Sequence, residues 1–312
     1  MRRLNAQKGI LFAALTAVLF SMLEPVSKLV ADSVSPFVIT VIRFIAGALF
    51  LAPFALAEQK KHPRPLRRKE YAMVFLTGII MVCISMPLLQ LSIQASDSPA
   101  LIAIVFSANS LFTILLSATL LREPFRSVQI TSAALCVAGI VICATPLESA
   151  HLASVGIALL AALTFSLYTI LTKKYLSEVS STVSLTLSFF FGGITLLLIL
   201  LCNGTDMQFE WEPRSVLCML VLGIIVTGGG YYAYFRAMEF GGAYSAAFAF
   251  FIKPVLAPFM AFLIGGSLPT ANVFIAIPFI VSGSIINAYS GRKRACAPAS
   301  KLPAGSDMSD AA

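Results

Sequence analysis

Residues 223–266 read GIIVTGGGYYAYFRAMEFGGAYSAAFAFFIKPVLAPFMAFLIGG. The stretch is almost wholly apolar, yet three consecutive glycines, Gly228, Gly229 and Gly230, sit in its first half. In its second half a lone lysine, Lys253, stands directly before Pro254. Glycine weakens a helix and proline removes one of its backbone donors. Two apolar segments weakened near their middles, one of them carrying a charge, form the pattern of a binding site built inside a membrane.

The whole chain agrees with a membrane setting. Of its 312 residues 58% are hydrophobic and 12% charged, against about 45–50% and 25% in soluble domains. Ten apolar segments can be placed, at 9–31, 36–57, 71–93, 98–121, 127–145, 153–173, 181–202, 215–236, 243–265 and 271–289. At about 1.5 Å per residue each is long enough to cross a hydrocarbon core of about 30 Å. Backbone groups in lipid must be satisfied internally, and no polar/apolar alternation suits a barrel, so the expectation is an all-α integral membrane protein. A signal peptide at 1–31 is disfavoured by its length and by Glu24 and Lys28 within it.

The net charge of +8 is a topology signal. With the N-terminus inside, the cytoplasmic loops receive Arg2, Arg3, Lys8, Lys60, Lys61, Arg64, Arg67, Arg68, Lys69, Arg122, Arg126, Lys173, Lys174 and Arg236. Asp32, Asp97, Glu148, Asp206, Glu210 and Glu212 fall on the opposite side, which keeps Arg214, with Lys28 near its edge. Both termini are then cytoplasmic, as expected for a bacterial inner membrane, and a nucleic-acid partner is unnecessary. Residues 1–8 form a short cytoplasmic N-terminus. Residues 290–312, small and polar, read as a disordered cytoplasmic tail.

Shifting the chain by 145 residues brings its halves into register. FLTGII (75–80) meets LVLGII (220–225), and LLREPF (120–125) meets GGSLPT (265–270). Phe20 and Ser21 fall on Phe165 and Ser166, with a gap of three residues upstream. Five helices in each repeat, 9–145 and 153–289, make the second repeat enter from the other side. The expected fold is ten transmembrane helices arranged as two inverted five-helix repeats, a design used by carriers with alternating access.

RFIAGALFLAPFAL (43–56), LLREPFRSVQITSAALCVAGIVI (120–142) and FFIKPVLAPFMAFLIGG (250–266) resemble the EamA-type transporters of the drug/metabolite transporter (DMT) superfamily. The likeness covers both halves and implies export or uptake of amino acids, nucleotides, vitamins or other metabolites. In that family the fourth helix of each repeat ends in a Gly-Glu-like pair. The first half keeps Glu123 after Arg122, whereas the second has Leu268, so this glutamate is not expected to carry indispensable chemistry.

A charge at the bilayer centre costs about 2.5–3.5 kcal/mol on insertion scales, so intramembrane charges mark functional candidates. Glu24, Arg43 and Lys253 qualify. Glu24 lies seven residues before Ala31 and Arg43 seven after Pro36, at similar depth, which predicts a pair serving as a structural bridge or as a substrate or proton site. Ser21 shares the Glu24 face and Pro25 frees a backbone carbonyl beside it. Lys253 lies ten residues past Ala243, about 15 Å of rise and near the midplane. It is expected to be unpaired and to meet an anionic group of a substrate, or else to bond carbonyls freed by Pro254 or Pro258; Glu24 is a possible partner, but Arg43 is better matched to Glu24 in depth.

The 145-residue shift puts Ser85, Met86 and Pro87 on Gly230, Tyr231 and Tyr232, so both helices are weakened at one level. Tyr231, Tyr234, Gln90 and Asn109 are the remaining candidates for lining a site. Packing, interfacial anchoring and helix bridging are the alternatives for these side chains.

Both histidines lie in loops, no Walker A sequence occurs, and no intramembrane metal set or nucleophile–base pair is found. No cofactor, metal or catalytic residue is therefore expected. The leading expectation is a secondary carrier for a small polar metabolite such as an amino acid, working as an exporter, with protons as a candidate coupling ion. An uptake permease and a facilitative channel are the alternatives. An intramembrane enzyme or a receptor fits less well. The small residues Ala134 and Ala138 suit packing within a monomer or between two copies.

Overall fold

The computed structural model describes residues 2–122, 127–145, 149–205, 207–266, 268 and 270–295. Helices account for nearly all of them: α1 (Arg2–Ser21), α2 (Leu23–Lys28), α3 (Pro36–Lys61), α4 (Arg68–Gly78), α5 (Met86–Gln94), α6 (Pro99–Phe106), α7 (Asn109–Leu120), α8 (Ser127–Ala144), α9 (Ser149–Tyr175), α10 (Ser181–Cys202), α11 (Pro213–Leu220), α12 (Gly230–Gly265) and α13 (Ala271–Ala295). π-helical segments, Ile79–Ser85 and Val221–Gly229, join α4 to α5 and α11 to α12. Among the described residues seven spans are long and apolar enough to cross a membrane, and Ile130–Ala144, Ile252–Gly265 and Ala271–Gly283 are shorter apolar helices. Among the described residues the only bridge between extended segments is Val34 with Phe209.

Local chemistry sets the boundaries. Proline occupies the first turn of α3, α6 and α11, where its missing N–H costs nothing. The Ser98 and Ser180 hydroxyls accept from the N–H groups of Leu101 and Val183, capping α6 and α10. Gly266, at φ 67°, closes α12 in the left-handed region.

The segments 215–236 and 243–265 were expected to be separate helices, whereas helical backbone runs without a break from Gly230 to Gly265. It nevertheless doubles back. Tyr234 and Phe250, sixteen residues apart, would lie about 24 Å from each other on a straight helix, but their rings are 5.6 Å apart. At the C-terminal end α13 continues to Ala295, so the expected tail starts helical, and residues 296–312 lie outside the described residues, as does Glu123.

Helix interruptions fall only partly where the prolines suggest. The break between α1 and α2 is at Met22, beside Ser21, whose carbonyl the Pro25 ring leaves without its usual donor. The weakening at Pro87 and at Gly228 to Gly230 takes the form of the two π segments, which end at Ser85 and Gly229. Pro254 does not interrupt α12. The corresponding break lies instead in the other half, at Ser107 and Ala108 between α6 and α7, where no proline stands. There the Ser107 hydroxyl donates to the Ala103 carbonyl at 2.9 Å, a back-bond that bends helices.

Close packing centres on the π segments. A Cβ on Gly78 would sit 2.6 Å from the Ser188 carbonyl oxygen, and one on Gly192 would sit 2.6 Å from the Gly78 carbonyl oxygen. A Cβ on Gly223 would sit 2.7 Å from Ala46 Cβ, with Arg43 Cα at 3.7 Å, and one on Gly47 would meet Thr227 at 2.7 Å. Phe44 and Phe189 pack edge to face between these contacts, centroids 4.7 Å apart, both with no exposed surface. On one surface, Ser35 N–H donates to Gln208 O and Glu210 N–H to Ser33 O, each at 3.0 Å, so two loops close over the helix ends.

Candidate functional site

Glu24, Arg43 and Lys253 are sealed inside the helical body. Glu24 is 0% exposed, Arg43 4% and Lys253 6%. Lys253 Nζ donates to Glu24 Oε1 at 2.7 Å and lies 5.7 Å from the centre of the Phe106 ring. The second carboxylate oxygen, Glu24 Oε2, is buried without a partner. Ser21 joins the same helices, its hydroxyl 2.6 Å from Ala17 O and 3.4 Å from Lys253 O.

Arg43 stands beside this pair. Its Nε donates to Thr227 Oγ1 at 2.7 Å, and the Thr227 hydroxyl donates in turn to Leu222 O at 2.8 Å. That last bond spans five residues within the π segment, so the widened helix orients the hydroxyl toward Arg43. The guanidinium also lies 4.9 Å from the centre of the Phe44 ring. Its Nη1 is buried without a partner. Glu24 and Tyr231 are near enough to act on Arg43 electrostatically.

The expected pairing is therefore corrected. Glu24 pairs with Lys253 instead of Arg43, and Lys253 is not unpaired. Counting residues along each helix measures depth but not which helix lies alongside. The α2 helix packs on α12, whereas α3 packs on the second π segment and α10.

A buried acid–base pair in a body of membrane-length helices is shared by many membrane proteins, and comparison decides between them. The sequence profile of the EamA-like transporter family matches residues 7–145 and 152–289. The chain belongs to the EamA-like transporter family. This family is a branch of the drug/metabolite transporter superfamily. A protein of Clostridium kluyveri, named only as an uncharacterized transporter, is 34% identical over 298 residues, 93% of this chain and 95% of the relative. The uncharacterized transporter YdfC of Bacillus subtilis is 23% identical over 241 residues, 77% of each chain. A solved structure titled only as the crystal structure of a protein superposes with TM-score 0.66 at 18% identity, covering 92% of this chain and 99% of that one. That likeness concerns the fold.

In this EamA-like transporter, an integral membrane protein, the remaining expected residues divide into two groups. Tyr231 packs edge-on against Phe20 at 4.9 Å and Phe189 at 5.2 Å, one turn beyond Thr227. Gly230 makes room for this, because a Cβ there would sit 2.6 Å from the Phe20 ring. These residues surround the charged set. Gln90, Tyr234 and Asn109 have other neighbours: Gln90 Nε2 donates to Ser27 Oγ at 3.2 Å, Tyr234 packs on Phe250, and the Asn109 carbonyl accepts from Ser166 Oγ at 2.7 Å. Sequence reasoning did not single out Thr227 as the partner of Arg43, nor Phe106 as a wall beside Lys253. A threonine at the depth of an intramembrane arginine was the available signal. Among the described residues no group of three or more His, Cys, Asp and Glu side chains is placed to hold a metal.

A second polar cluster lies near the loop ends of α3, α4 and α9. Arg64 Nη2 meets Glu70 Oε1 at 2.8 Å and Glu178 Oε2 at 3.0 Å, beside a cavity of about 190 Å³.

Proposed function

We propose that this transporter is a secondary carrier. It moves a small polar metabolite, of which amino acids are the type, outward across a bacterial inner membrane by alternating access. Its ten crossings form two inverted five-helix repeats with both termini cytoplasmic. The site is centred on Glu24 and Lys253, with Arg43, Ser21 and Tyr231 around them, and Gln90, Tyr234 and Asn109 along the path.

The observation that carries this reading is the buried Glu24–Lys253 bond, because its partners come from the two halves of the chain. A bond across halves is made or broken when one half rocks against the other. The close-packed positions support the repeat. Gly47 and Gly192 stand 145 residues apart, as do Gly78 and Gly223, and Phe44 and Phe189. Ser21 bonds Lys253 O and Ser166 bonds Asn109 O, which relates the first and fourth helices of opposite halves twice.

The test is counterflow in proteoliposomes over a panel of amino acids and other small metabolites. Saturable uptake stimulated by substrate on the opposite side supports a carrier, whereas unsaturable flux indicates a channel. No flux of any panel member would overturn the proposal.

A further inference from the structure

We infer that Arg43, and not Lys253, anchors a carboxylate of the transported molecule, while Glu24 Oε2 receives an N–H or O–H donor from the same molecule. This rests on the carrier reading above and names the chemistry that the site selects.

The charges make the case. Glu24 and Lys253 cancel at 2.7 Å. Arg43 is then the surplus, one full positive charge at 4% exposure. Its Nε is satisfied by a neutral hydroxyl, and its Nη1 by nothing. Contact with the Phe44 face at 4.9 Å offsets only part of the cost of burying an ion. A carboxylate matches the planar fork of a guanidinium and supplies the missing countercharge. Lys253, already bonded to a carboxylate and facing a ring, has much less to gain from a second anion.

Packing does not explain the arginine. Ser188 stands 145 residues beyond Arg43 and lies against Gly78 as Arg43 lies against Gly223. A serine therefore fills that structural role, and it is satisfied by neutral partners across on α4, the Thr77 hydroxyl and Val74 O. Glu24 Oε2 is a second, independent unpartnered atom, on a side chain with no exposed surface. It accepts hydrogen bonds only, so its complement is a donor. A molecule bearing a carboxylate and a nearby amino or hydroxyl group satisfies both atoms together. Thr227 is a positioning residue: its hydroxyl proton is committed to Leu222 O, which turns its lone pairs toward Arg43 Nε.

The experiment uses the full chain in proteoliposomes with three matched sets of compounds: amino acids, the amines left by their decarboxylation, and the acids left by their deamination. Every compound carried by the native protein is expected to bear a carboxylate, with the amines neither carried nor competing. Arg43→Lys and Arg43→Gln, checked for monodispersity in detergent, are expected to raise KM for the carried acid at least about tenfold. Thr227→Val is expected to raise KM with little change in kcat, and Thr227→Ser to restore it. Transport of the bare amines by the native protein, or native KM in folded Arg43→Lys, overturns the inference while leaving the carrier intact. If the native protein carries none of the three sets but carries other metabolites lacking a carboxylate, the inference falls alone. If it carries nothing, both fall.

Discussion

The Glu24–Lys253 bond is open to a double-mutant cycle. Glu24 has no exposed surface and already leaves one oxygen without a partner. Lys253→Met removes the other contact and strands a carboxylate in an apolar body. Breaking one side of a buried pair costs about 3–5 kcal/mol, whereas replacing both members with neutral side chains is often close to neutral. At about 2–4 °C per kcal/mol for large chains, Lys253→Met is expected to lower the apparent melting midpoint by roughly 6–20 °C. Glu24→Gln falls too, because it leaves Lys253 without its carboxylate. The combination Glu24→Gln with Lys253→Met is expected to regain much of the loss, giving a coupling energy above about 2 kcal/mol. Thermal scans by fluorescence-detected size exclusion supply the stabilities, and counterflow in proteoliposomes reports transport, which is expected to stay lost in all three variants. If the single effects add within about 0.5 kcal/mol, the bond contributes nothing to holding the halves together. Native transport by the double variant would remove the pair from the site.

Other outcomes follow from the packing and the charge distribution. Gly78→Ala and Gly192→Ala each drive a Cβ to 2.6 Å from backbone oxygen and are expected to cost about 1–3 kcal/mol. Gly156→Ala meets nothing within 4 Å and is expected to be neutral or to stabilise α9 by up to about 1 kcal/mol; equal melting behaviour of the three would refute the close approach. Glu178→Gln, at an exposed side chain, is expected to change stability by less than about 1 kcal/mol, and a fall above 10 °C in the midpoint would contradict that. In a cysteine-free background, a cysteine at Trp211, which is 84% exposed, is expected to react with an impermeant reagent on intact cells, and one at His62 is not. The reverse pattern would invert the proposed orientation.

Much of the fold was legible in one dimension. Lipid penalises unpaired backbone groups, so uninterrupted apolar runs declare helices by length and composition alone. The paired weakening near Pro87 and Gly228 to Gly230 marked where the two π segments end, because both residue types act on the local hydrogen-bond ladder. The charged residues at depth were also legible, because burial of a charge is costly wherever it occurs. Their partners were not. Glu24 and Arg43 share a depth, yet depth says nothing of azimuth or of which helices are neighbours. Lys253 reached Glu24 across 229 positions only because α2 packs on α12. The break at Ser107 and the unbroken helix through Pro254 were likewise decided in three dimensions, where side-chain bonds and neighbouring helices override local propensity. Sequence alone determined that charges would be buried and helices interrupted. Tertiary packing decided which charge is neutralised and which, Arg43, is left without a bonded counterion among the described residues, because electrostatic pairing depends on distances between helices that no spacing along a single helix contains.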